Sequence, residues 1–399
     1  MKHHILVGSL SVLPFLALST QSMAQSDEFT VKLGGRLHIE YTAADLDNLD
    51  VTLDASEVRR ARLKASGNVN SETKYKFELN HTSGGGIDLE DGYIQYTLPG
   101  SFVSGAKWKV KLGHFKTQNS IEEDASSNSN HLIERAAFTD AFDLNRRVGV
   151  ELEATGDNYL FEVGAFTNNA NSDAGLSEGN AFSARGVFNP IKTDQNIVHL
   201  GASWRYRDVG GLEDDGEEAL LRFRQRPFTH VTGDRITETD RFAQSDNFYG
   251  FELAAVHDKK LWAYAEYAIL DANGGLADDG TTFDDASFDA FSAEIGYIFG
   301  GQQGYKNGKL TRTKVDRALG EGGWGAFSIA ARYDTLDLSE APAGFNGALN
   351  GGTLDTFAVG ANWWMSNYTR LAISYFNLDA ENGSSESGQG IVTRLQLDF

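Results

Sequence analysis

The chain has 399 residues, of which 41% are hydrophobic, 23% charged and 11% aromatic, with 43 Gly, 5 Pro and no Cys. The absence of Cys excludes disulfides, thiolate metal sites and thiol catalysis. A formal net charge of −21 disfavours a nucleic-acid partner, because a polyanion is bound by a basic surface.

Residues 1–24 have the pattern of a secretory signal peptide. Lys2 supplies a positive charge, an apolar stretch runs from Ile5 to Ala17, and Ser22-Met23-Ala24 ends in small residues. A buried N-terminal helix is disfavoured because the run is short and contains Pro14. We therefore predict export of a mature chain that spans residues 25–399 as one domain.

From Phe29 to the last residue, apolar and polar side chains alternate. In the first stretch Leu37, Ile39 and Tyr41 fall on one face, whereas His38 and Glu40 fall on the other, as in a half-buried strand. About sixteen or seventeen such stretches follow one another. Most have about 9–13 residues, which is the length that a tilted strand needs to cross a bilayer. The chain is therefore predicted to be all-β, a transmembrane antiparallel β-barrel of about sixteen strands with a water-filled lumen.

The excess of acid lies mainly in predicted loops. It is found between Asp45 and Asp54, at 213–218 and at 278–289. We expect solvated outer loops there. Calcium binding is the alternative, although no stretch has the spacing of an EF-hand.

Positive charge is concentrated in predicted strands. In the run from Glu57 to Lys64, the side chains of Arg60, Arg62 and Lys64 share one face, spaced about 6.6 Å apart. Three cations at this spacing repel one another, so the lumen must hold counter-charges or mobile anions. A second row has the same spacing, at Arg222, Arg224 and Arg226, and Arg146-Arg147 is a third basic group.

Two interpretations of these cations are open. Each arginine can pair with a wall carboxylate such as Glu78, Glu151 or Glu153. A guanidinium also binds phosphate-like oxygens through two hydrogen bonds, and rows of Arg and Lys line anion pores. Two separate inward-facing rows favour an anion pathway. Its predicted members are Arg59, Arg60, Arg62, Lys64, Arg146, Arg147, Arg222, Arg224 and Arg226.

One connection, from Lys116 to Asn145, shows no sustained alternation. A loop of about 30 residues is uncommon unless it is functional or disordered. In a large barrel we expect it to fold into the lumen and narrow the channel; a mobile external loop is the alternative. The predicted constriction residues are Lys116, Ser126, Ser127, Asn128 and Arg135.

These motifs resemble, in their order, those of the phosphate-selective porins O and P. They are Arg59-Arg60-Ala61-Arg62, Leu112-Gly113-His114-Phe115-Lys116, Ser126-Ser127-Asn128 with Glu134-Arg135-Ala136, Arg146-Arg147-Val148-Gly149-Val150, and Arg222-Phe223-Arg224-Gln225-Arg226-Pro227. The resemblance covers essentially the whole mature chain. It implies a sixteen-stranded, homotrimeric outer-membrane channel in which arginines lead anions to a constriction formed by an inward-folded third loop.

The resemblance also assigns roles to positions. Arg59, Arg60, Arg62, Arg222, Arg224 and Arg226 match the family's ladder arginines, and Ser126 and Ser127 match its constriction-loop serines. The chain departs at Asn128, where strongly phosphate-selective members are expected to carry a lysine. Loss of that cation would weaken anion binding by about 1–3 kcal/mol. Orthophosphate specificity therefore stays open, with Lys111 and Lys116 as candidates to compensate.

The C-terminus carries a separate signal. Leu395, Leu397 and Phe399 alternate with polar residues, and Phe399 is the last residue. This pattern resembles the signal by which bacterial barrels are recognised by the barrel-assembly machinery of the outer membrane. We expect that machinery and the surrounding outer-membrane lipid to be partners.

Three other functions compete with an anion channel. Catalysis is disfavoured because His81-Thr82-Ser83 lacks a third partner, and Gly84-Gly85-Gly86 is not followed by a phosphate-loop lysine. A non-conducting barrel or adhesin is disfavoured by the strand number. A general diffusion porin is the main alternative. The sequence thus predicts a passive channel, without enzyme activity or cofactor, that prefers phosphate or polyphosphate-like anions.

Overall fold

The computed structural model describes residues 29–46, 51–81, 85–100, 105–171, 179–210, 220–276, 282–341, 351–381 and 385–399. The predicted signal peptide lies outside the described residues, as do Thr82 to Gly84 and the acidic stretches 47–50, 213–218 and 278–281. Within the described ranges, no helix has the length and apolar character needed to cross a membrane.

Strands dominate the described chain, with two short helices. The elements are β1 (Lys32–Leu46), β2 (Val51–Asn68), β3 (Thr73–His81), β4 (Ile87–Thr97), β5 (Lys107–Lys116), α1 (Ile121–Asp124), α2 (Ala137–Ala141), β6 (Arg146–Thr155), β7 (Tyr159–Phe166), β8 (Ala181–Lys192), β9 (Ile197–Asp208), β10 (Arg224–Gln225), β11 (Thr237–Glu238), β12 (Ala243–His257), β13 (Leu261–Gly274), β14 (Ala286–Phe299), β15 (Gly301–Lys306), β16 (Lys309–Val315), β17 (Ala326–Asp337), β18 (Thr353–Trp364), β19 (Thr369–Glu381) and β20 (Ser385–Asp398).

Sixteen of these strands form one closed antiparallel barrel. Every wall strand pairs with its neighbours in chain order, and β1 closes the sheet against β20, from Arg36 opposite Asp398 to Leu46 opposite Gly388. The predicted barrel is confirmed. Because the strand number is even, both ends of the described chain lie at the same end of the barrel, here called the terminal end; the opposite end is the loop end.

The wall has an apolar outer face and a polar inner face. Leu33 and Leu63 are 80% and 67% exposed on the outside, whereas His38 and Glu40 on the inside are at most 1% exposed. Lipid can neither donate nor accept hydrogen bonds, so a closed sheet with apolar outward residues is the arrangement that a bilayer permits.

In the described part of the chain, three connections fold into the lumen. The constriction loop (residues 117–145) contains α1 and α2, and Ser120, Leu132 and Phe142 in it are at most 1% exposed. The predicted inward-folded loop is therefore confirmed. A second loop joins β9 to β12 at the loop end and carries β10 and β11, while the hairpin β15–β16 enters from the terminal end between β14 and β17.

The placement of the second arginine row on a wall strand is wrong. Arg222, Arg224 and Arg226 lie in the loop between β9 and β12, and of these residues β10 contains Arg224 alone. The alternation is real, because Phe223 is buried against Phe242 and Phe288 while the arginines stay partly exposed. An alternation with a period of two indicates an extended chain with one covered face, but it does not indicate what covers that face. Here the apolar face is covered by protein and not by lipid.

We predict that Phe251→Arg lowers the free energy of unfolding in liposomes by about 2–4 kcal/mol, because Phe251 is 51% exposed on the outer face at the middle of β12. Leu261→Arg, at the first residue of β13, is the control and should cost no more than about 1 kcal/mol, since the headgroup region solvates the charge. Denaturant titration of the refolded proteins measures both. Equal losses of stability in the two variants would contradict the placement of Phe251 at the middle of the bilayer and of Leu261 at its edge.

Candidate functional site

A cavity of about 880 Å³ lies in the lumen between the constriction loop and the wall strands β1 to β7. Its lining carries both signs of charge in equal number. The cations are Arg36, Arg59, Arg60, Arg62, Lys76, Lys111, Lys116, Arg135, Arg146, Arg226, Lys309 and Arg312, and the carboxylates are Glu78, Asp88, Glu90, Asp91, Glu123, Asp124, Glu134, Asp140, Asp143, Glu153, Glu162 and Asp334.

A β-bulge in β2 turns two consecutive arginines to the lumen. His38 of β1 lies opposite Arg60, but Ile39 lies opposite Val58, so Arg59 is the extra residue. Arg59 pairs with Glu134 of the constriction loop at 3.5 Å. Arg60 has no carboxylate oxygen within 4 Å among the described residues, and its Nη1 has no hydrogen-bond partner there. Arg60 therefore presents an uncompensated positive charge.

A second bulge doubles the carboxylates beside these arginines. Phe77 of β3 lies opposite Gly92 and Leu79 opposite Leu89, which leaves Glu90 and Asp91 together opposite Glu78. Four cations form ion pairs with these three carboxylates, and a fifth cation, Arg60, is their neighbour without an ion pair. They are Arg36, Arg62 and Lys76 on Glu78, Arg62 and Arg146 on Glu90, Lys76 and Arg146 on Asp91, and the unpaired Arg60. The local balance is a surplus of two positive charges.

The paired serines of the constriction loop meet this surplus. Arg36 Nη1 donates to Ser127 Oγ at 2.9 Å and lies 3.4 Å from Ser126 Oγ. Both hydroxyls line the cavity. Arg36 was not among the predicted site residues, because a single arginine on the polar face of β1 forms no row; its register opposite Arg62 would have been the signal.

Asn128 is an anchor. Its Nδ2 donates to Asp398 Oδ1 at 2.7 Å, its Oδ1 lies 3.1 Å from His38 Nε2, and its side chain is buried. Neither candidate for compensation is a free cation, because Lys111 pairs with Glu151 and Lys116 with Glu123. The cation at the serines is Arg36.

Wall arginines fix the constriction loop through its acidic residues. Glu122 binds Arg332 at 2.8 Å and Asp124 binds Arg185 at 3.0 Å, all four side chains being nearly fully buried. At the start of α1, Ser120 caps the helix by accepting from Glu123 N at 3.0 Å, and Glu266 of β13 accepts from Ile121 N at 2.9 Å. These wall arginines stand singly on their strands, so a search for rows within a strand missed them.

The whole described barrel matches one family of proteins. The family model for phosphate-selective porins O and P matches residues 31–399. The chain belongs to this family. Porin O of Pseudomonas aeruginosa is 25% identical over 404 residues, covering 93% of this chain and 89% of the relative. With its fold and these relatives, the protein is an outer-membrane porin.

Solved porins share the fold at low sequence identity. The anion-selective porin from Comamonas acidovorans has a TM-score of 0.55 and 11% identity, with 93% of this chain and 99% of that chain covered. The in-vitro folded OmpT of Vibrio cholerae, in its trimer form, has a TM-score of 0.51 and 12% identity, with 92% and 99% covered.

The remaining predicted residues of the porin are mostly paired. Arg135 lies 3.2 Å from Glu123 and donates to Ala125 O at 2.9 Å. Arg147 is buried and donates to Thr167 O, and Lys64 lies opposite Glu78 in the register of β2 and β3. In the second loop, Arg222 and Arg224 bind Glu238, and Arg226, which lines the cavity, binds Asp140 of the constriction loop.

Three glutamates of β6 and β7 come close enough to hold a metal ion. Carboxylate oxygens of Glu151, Glu153 and Glu162 lie within 4.8 Å of one another. Lys111 and Lys109 already bind Glu151 and Glu153, so these wall carboxylates pair with lysines and not with the arginines that the alternative interpretation of the sequence assigned to them. The arrangement is an ion-paired wall facing the lumen.

His131 joins the constriction loop to the hairpin β15–β16. Its ring stacks on Trp262 with 3.8 Å between centroids, its Nε2 lies 2.7 Å from Gln303 Oε1, and its Nδ1 lies 3.0 Å from Ser328 Oγ. Complete burial lowers the pKa of His131 to about 3. The imidazole is therefore neutral at physiological pH, donating from one nitrogen and accepting at the other.

We predict that docking of the constriction loop weakens as the pH falls from about 6.5. An exposed imidazole gains a proton near pH 6.5, whereas the docked imidazole has a pKa of about 3 and stays neutral. At pH 5 the free energy of docking is therefore less favourable by about 2 kcal/mol than at pH 7. Hydrogen exchange of residues 117–145 at pH 7 and pH 5, corrected for intrinsic rates, measures the loss of protection.

His131→Gln is the control for this experiment. Burial raises the pKa values of Glu122 and Asp124, which therefore titrate in the opposite sense. The contribution of His131 is the difference between the unmodified porin and His131→Gln. If the two proteins respond to pH alike, the interpretation of His131 is contradicted.

Proposed function

We propose that this porin forms a passive, anion-preferring channel of the outer membrane for phosphate or polyphosphate-like anions. The observation that carries the proposal is the surplus of positive charge at Arg36, Arg60 and Arg62 beside the hydroxyls of Ser126 and Ser127. Guanidinium and hydroxyl donors together match the oxygens of a tetrahedral oxyanion.

Local charge, rather than the net charge of −21, supports this preference. The acids of the constriction loop are compensated: Glu122 and Asp124 by buried wall arginines, and Glu134 by Arg59 and Arg394. Charges more than about 8–10 Å away are largely screened at physiological salt. An ion at the serines is therefore governed by the arginines that lie next to it.

The site is built to bind weakly. Arg36 and Arg62 already share Glu78, so a bound anion competes with a carboxylate for the same donors. Arg60 Nη1 has no hydrogen-bond partner in the described structure and needs to break no bond before it donates. Conduction requires affinity that attracts the ion without trapping it, and partly engaged donors beside one free arginine meet that requirement.

The relatives support the assignment. The name of the family points to phosphate, and the Comamonas neighbour is an anion-selective porin. The trimer form of the Vibrio neighbour supports a homotrimer. Phe399, 61% exposed at the terminal end, is in place to serve as the assembly signal, and the exposed apolar outer face would contact outer-membrane lipid.

A general diffusion porin is the second candidate. The observation that favours it is the equal number of cations and carboxylates around the cavity, twelve of each. Such a lining would pass both signs of ion, with the ion pairs acting as a polar wall. The two functions differ in whether Arg60 controls selectivity.

We predict that Arg60→Gln raises the dissociation constant for phosphate block at least about tenfold, because it removes a charge-assisted hydrogen bond worth about 1.5–3 kcal/mol, and that it lowers anion selectivity. Reversal potential under a salt gradient and phosphate block in a planar bilayer measure both effects. Arg317→Gln is the matched control, since Arg317 is exposed in the turn before β17. Unchanged selectivity in Arg60→Gln would favour the general porin.

A further inference from the structure

Glu162 of β7 is a buried carboxylate with few compensating contacts. It lines the lumen cavity and is 7% exposed. Within 4 Å of it, the described structure places one cation, Arg185, whose Nη1 lies 3.6 Å from Glu162 Oε2. That oxygen has no hydrogen-bond partner among the described residues. Because a buried charge is costly unless it is paired and hydrogen-bonded, these contacts stabilise an ionised Glu162 poorly.

Arg185 gives its hydrogen bonds to other groups. Its Nε and Nη2 donate to Glu252 of β12 at 2.8 and 2.7 Å, and its Nη1 donates to Asp124 of the constriction loop at 3.0 Å. Nη2 also donates to the Gly308 carbonyl of the hairpin β15–β16 at 2.7 Å. Three carboxylates therefore share one guanidinium, and Glu162 is the one that receives no hydrogen bond from it.

Two glutamates of β6 lie beside Glu162. Glu153 is directly opposite it in the register of β6 and β7, and carboxylate oxygens of Glu151, Glu153 and Glu162 lie within 4.8 Å of one another. Like charges in such positions destabilise a strand pair. Lys109 and Lys111 of β5 bind Glu153 and Glu151, but Glu151 Oε2 has no hydrogen-bond partner in the described part of the chain. Glu151 and Glu162 thus each have one unpartnered oxygen.

Carboxylates outnumber cations around Glu162. The five carboxylates are Asp124, Glu151, Glu153, Glu162 and Glu252, and the four cations are Lys109, Lys111, Arg185 and Lys309, the last acting on Asp124 from a longer distance. Lys116 also acts on Asp124, but it is paired with Glu123. One negative charge among the described residues is therefore left without a counter-charge.

His199 does not supply the missing charge. The Tyr305 hydroxyl accepts from Asn189 Nδ2 at 2.9 Å and lies 2.7 Å from His199 Nδ1, to which it donates its own hydrogen. Nδ1 is then an acceptor, and the hydrogen of the imidazole is on Nε2, which lies 3.0 Å from Glu252 Oε2. The imidazole is a neutral donor to Glu252.

We propose that Glu162 and Glu151 share one proton at neutral pH, and that this proton sets the anion preference of the channel. Rotation of the two side chains brings their unpartnered oxygens to hydrogen-bond distance, and the proton between them removes the excess charge. Two carboxyl groups that share a site do not both ionise readily. Once the proton leaves, Glu162 presents a negative charge to the cavity. The role in selectivity rests on the proposed channel function, whereas the shared proton does not.

Infrared difference spectroscopy of the refolded porin in liposomes tests the proton directly. Between pH 7 and about pH 10 the spectrum should lose the C=O band of a protonated carboxyl group. Glu162→Gln, which keeps the shape of the neutral side chain, should lack this component. Glu151→Gln removes the carboxylate that shares the proton, so Glu162 should ionise at a lower pH than in the unmodified porin. Identical difference spectra in the unmodified porin and Glu162→Gln overturn the shared proton, whatever the channel conducts.

Reversal potential in a planar bilayer under a salt gradient tests the role in selectivity. Between pH 7 and about pH 10 the anion-to-cation permeability ratio of the unmodified porin should fall by up to about fivefold. This factor corresponds to the ~1 kcal/mol that one unit charge contributes at 4 Å in water. In Glu162→Gln most of the fall should disappear, and an equal fall in both proteins overturns the role of Glu162.

Asp88→Asn is the matched control, because Asp88 lines the same cavity from β4. It should change the permeability ratio at every pH and leave the fall between pH 7 and about pH 10 in place. If Asp88→Asn abolishes the fall as Glu162→Gln does, the assignment to Glu162 is overturned. An unmodified porin without anion preference at pH 7 overturns the channel function and the role of Glu162 in it, whereas the infrared result still decides the proton.

Discussion

The pore depends on the ion pairs between wall arginines and the acids of the constriction loop. Arg185 and Arg332 are buried on the inner face of the wall, and they meet Asp124 and Glu122. Removing one partner of such a pair costs about 3–5 kcal/mol, because a buried charge is left uncompensated. The loop is therefore fixed to the wall, and its serines stay within reach of Arg36 of β1.

This fixation separates two kinds of arginine that sequence alone does not distinguish. Those opposite the loop acids are buried and neutralised, and they set geometry. Those on β1 and β2 keep a surplus of charge, because the carboxylates beside them are too few. Two bulges set this balance of charge. The bulge in β2 turns Arg59 and Arg60 inward together and adds positive charge, whereas the bulge in β4 does the same for Glu90 and Asp91 and offsets part of it.

The fold and part of the site follow from local patterns. Alternation in strands long enough to cross a bilayer identifies the barrel, and loss of alternation after Lys116 identifies the constriction loop. Alternation does not say what covers a buried face, which is why the row at Arg222 was assigned to the wall. Arg36 and Arg185 were not predicted because their partners lie in the constriction loop or on other strands. The hairpin β15–β16 was not predicted because the stretch from Gly301 to Lys306 has no apolar alternation that would identify a strand.

Asn128 anchors the constriction loop, while a residue of the wall supplies the cation at the paired serines. A cation after the paired serines would add charge at the apex of the loop. Asn128 instead uses both polar atoms of its amide in hydrogen bonds with His38 and Asp398, which attach the apex to the wall where β1 meets β20. The charge that reaches the serines comes instead from the wall, through Arg36. The cation at the serines therefore stands on a strand that is hydrogen-bonded to a neighbour on each side, and the constriction loop supplies the hydroxyls.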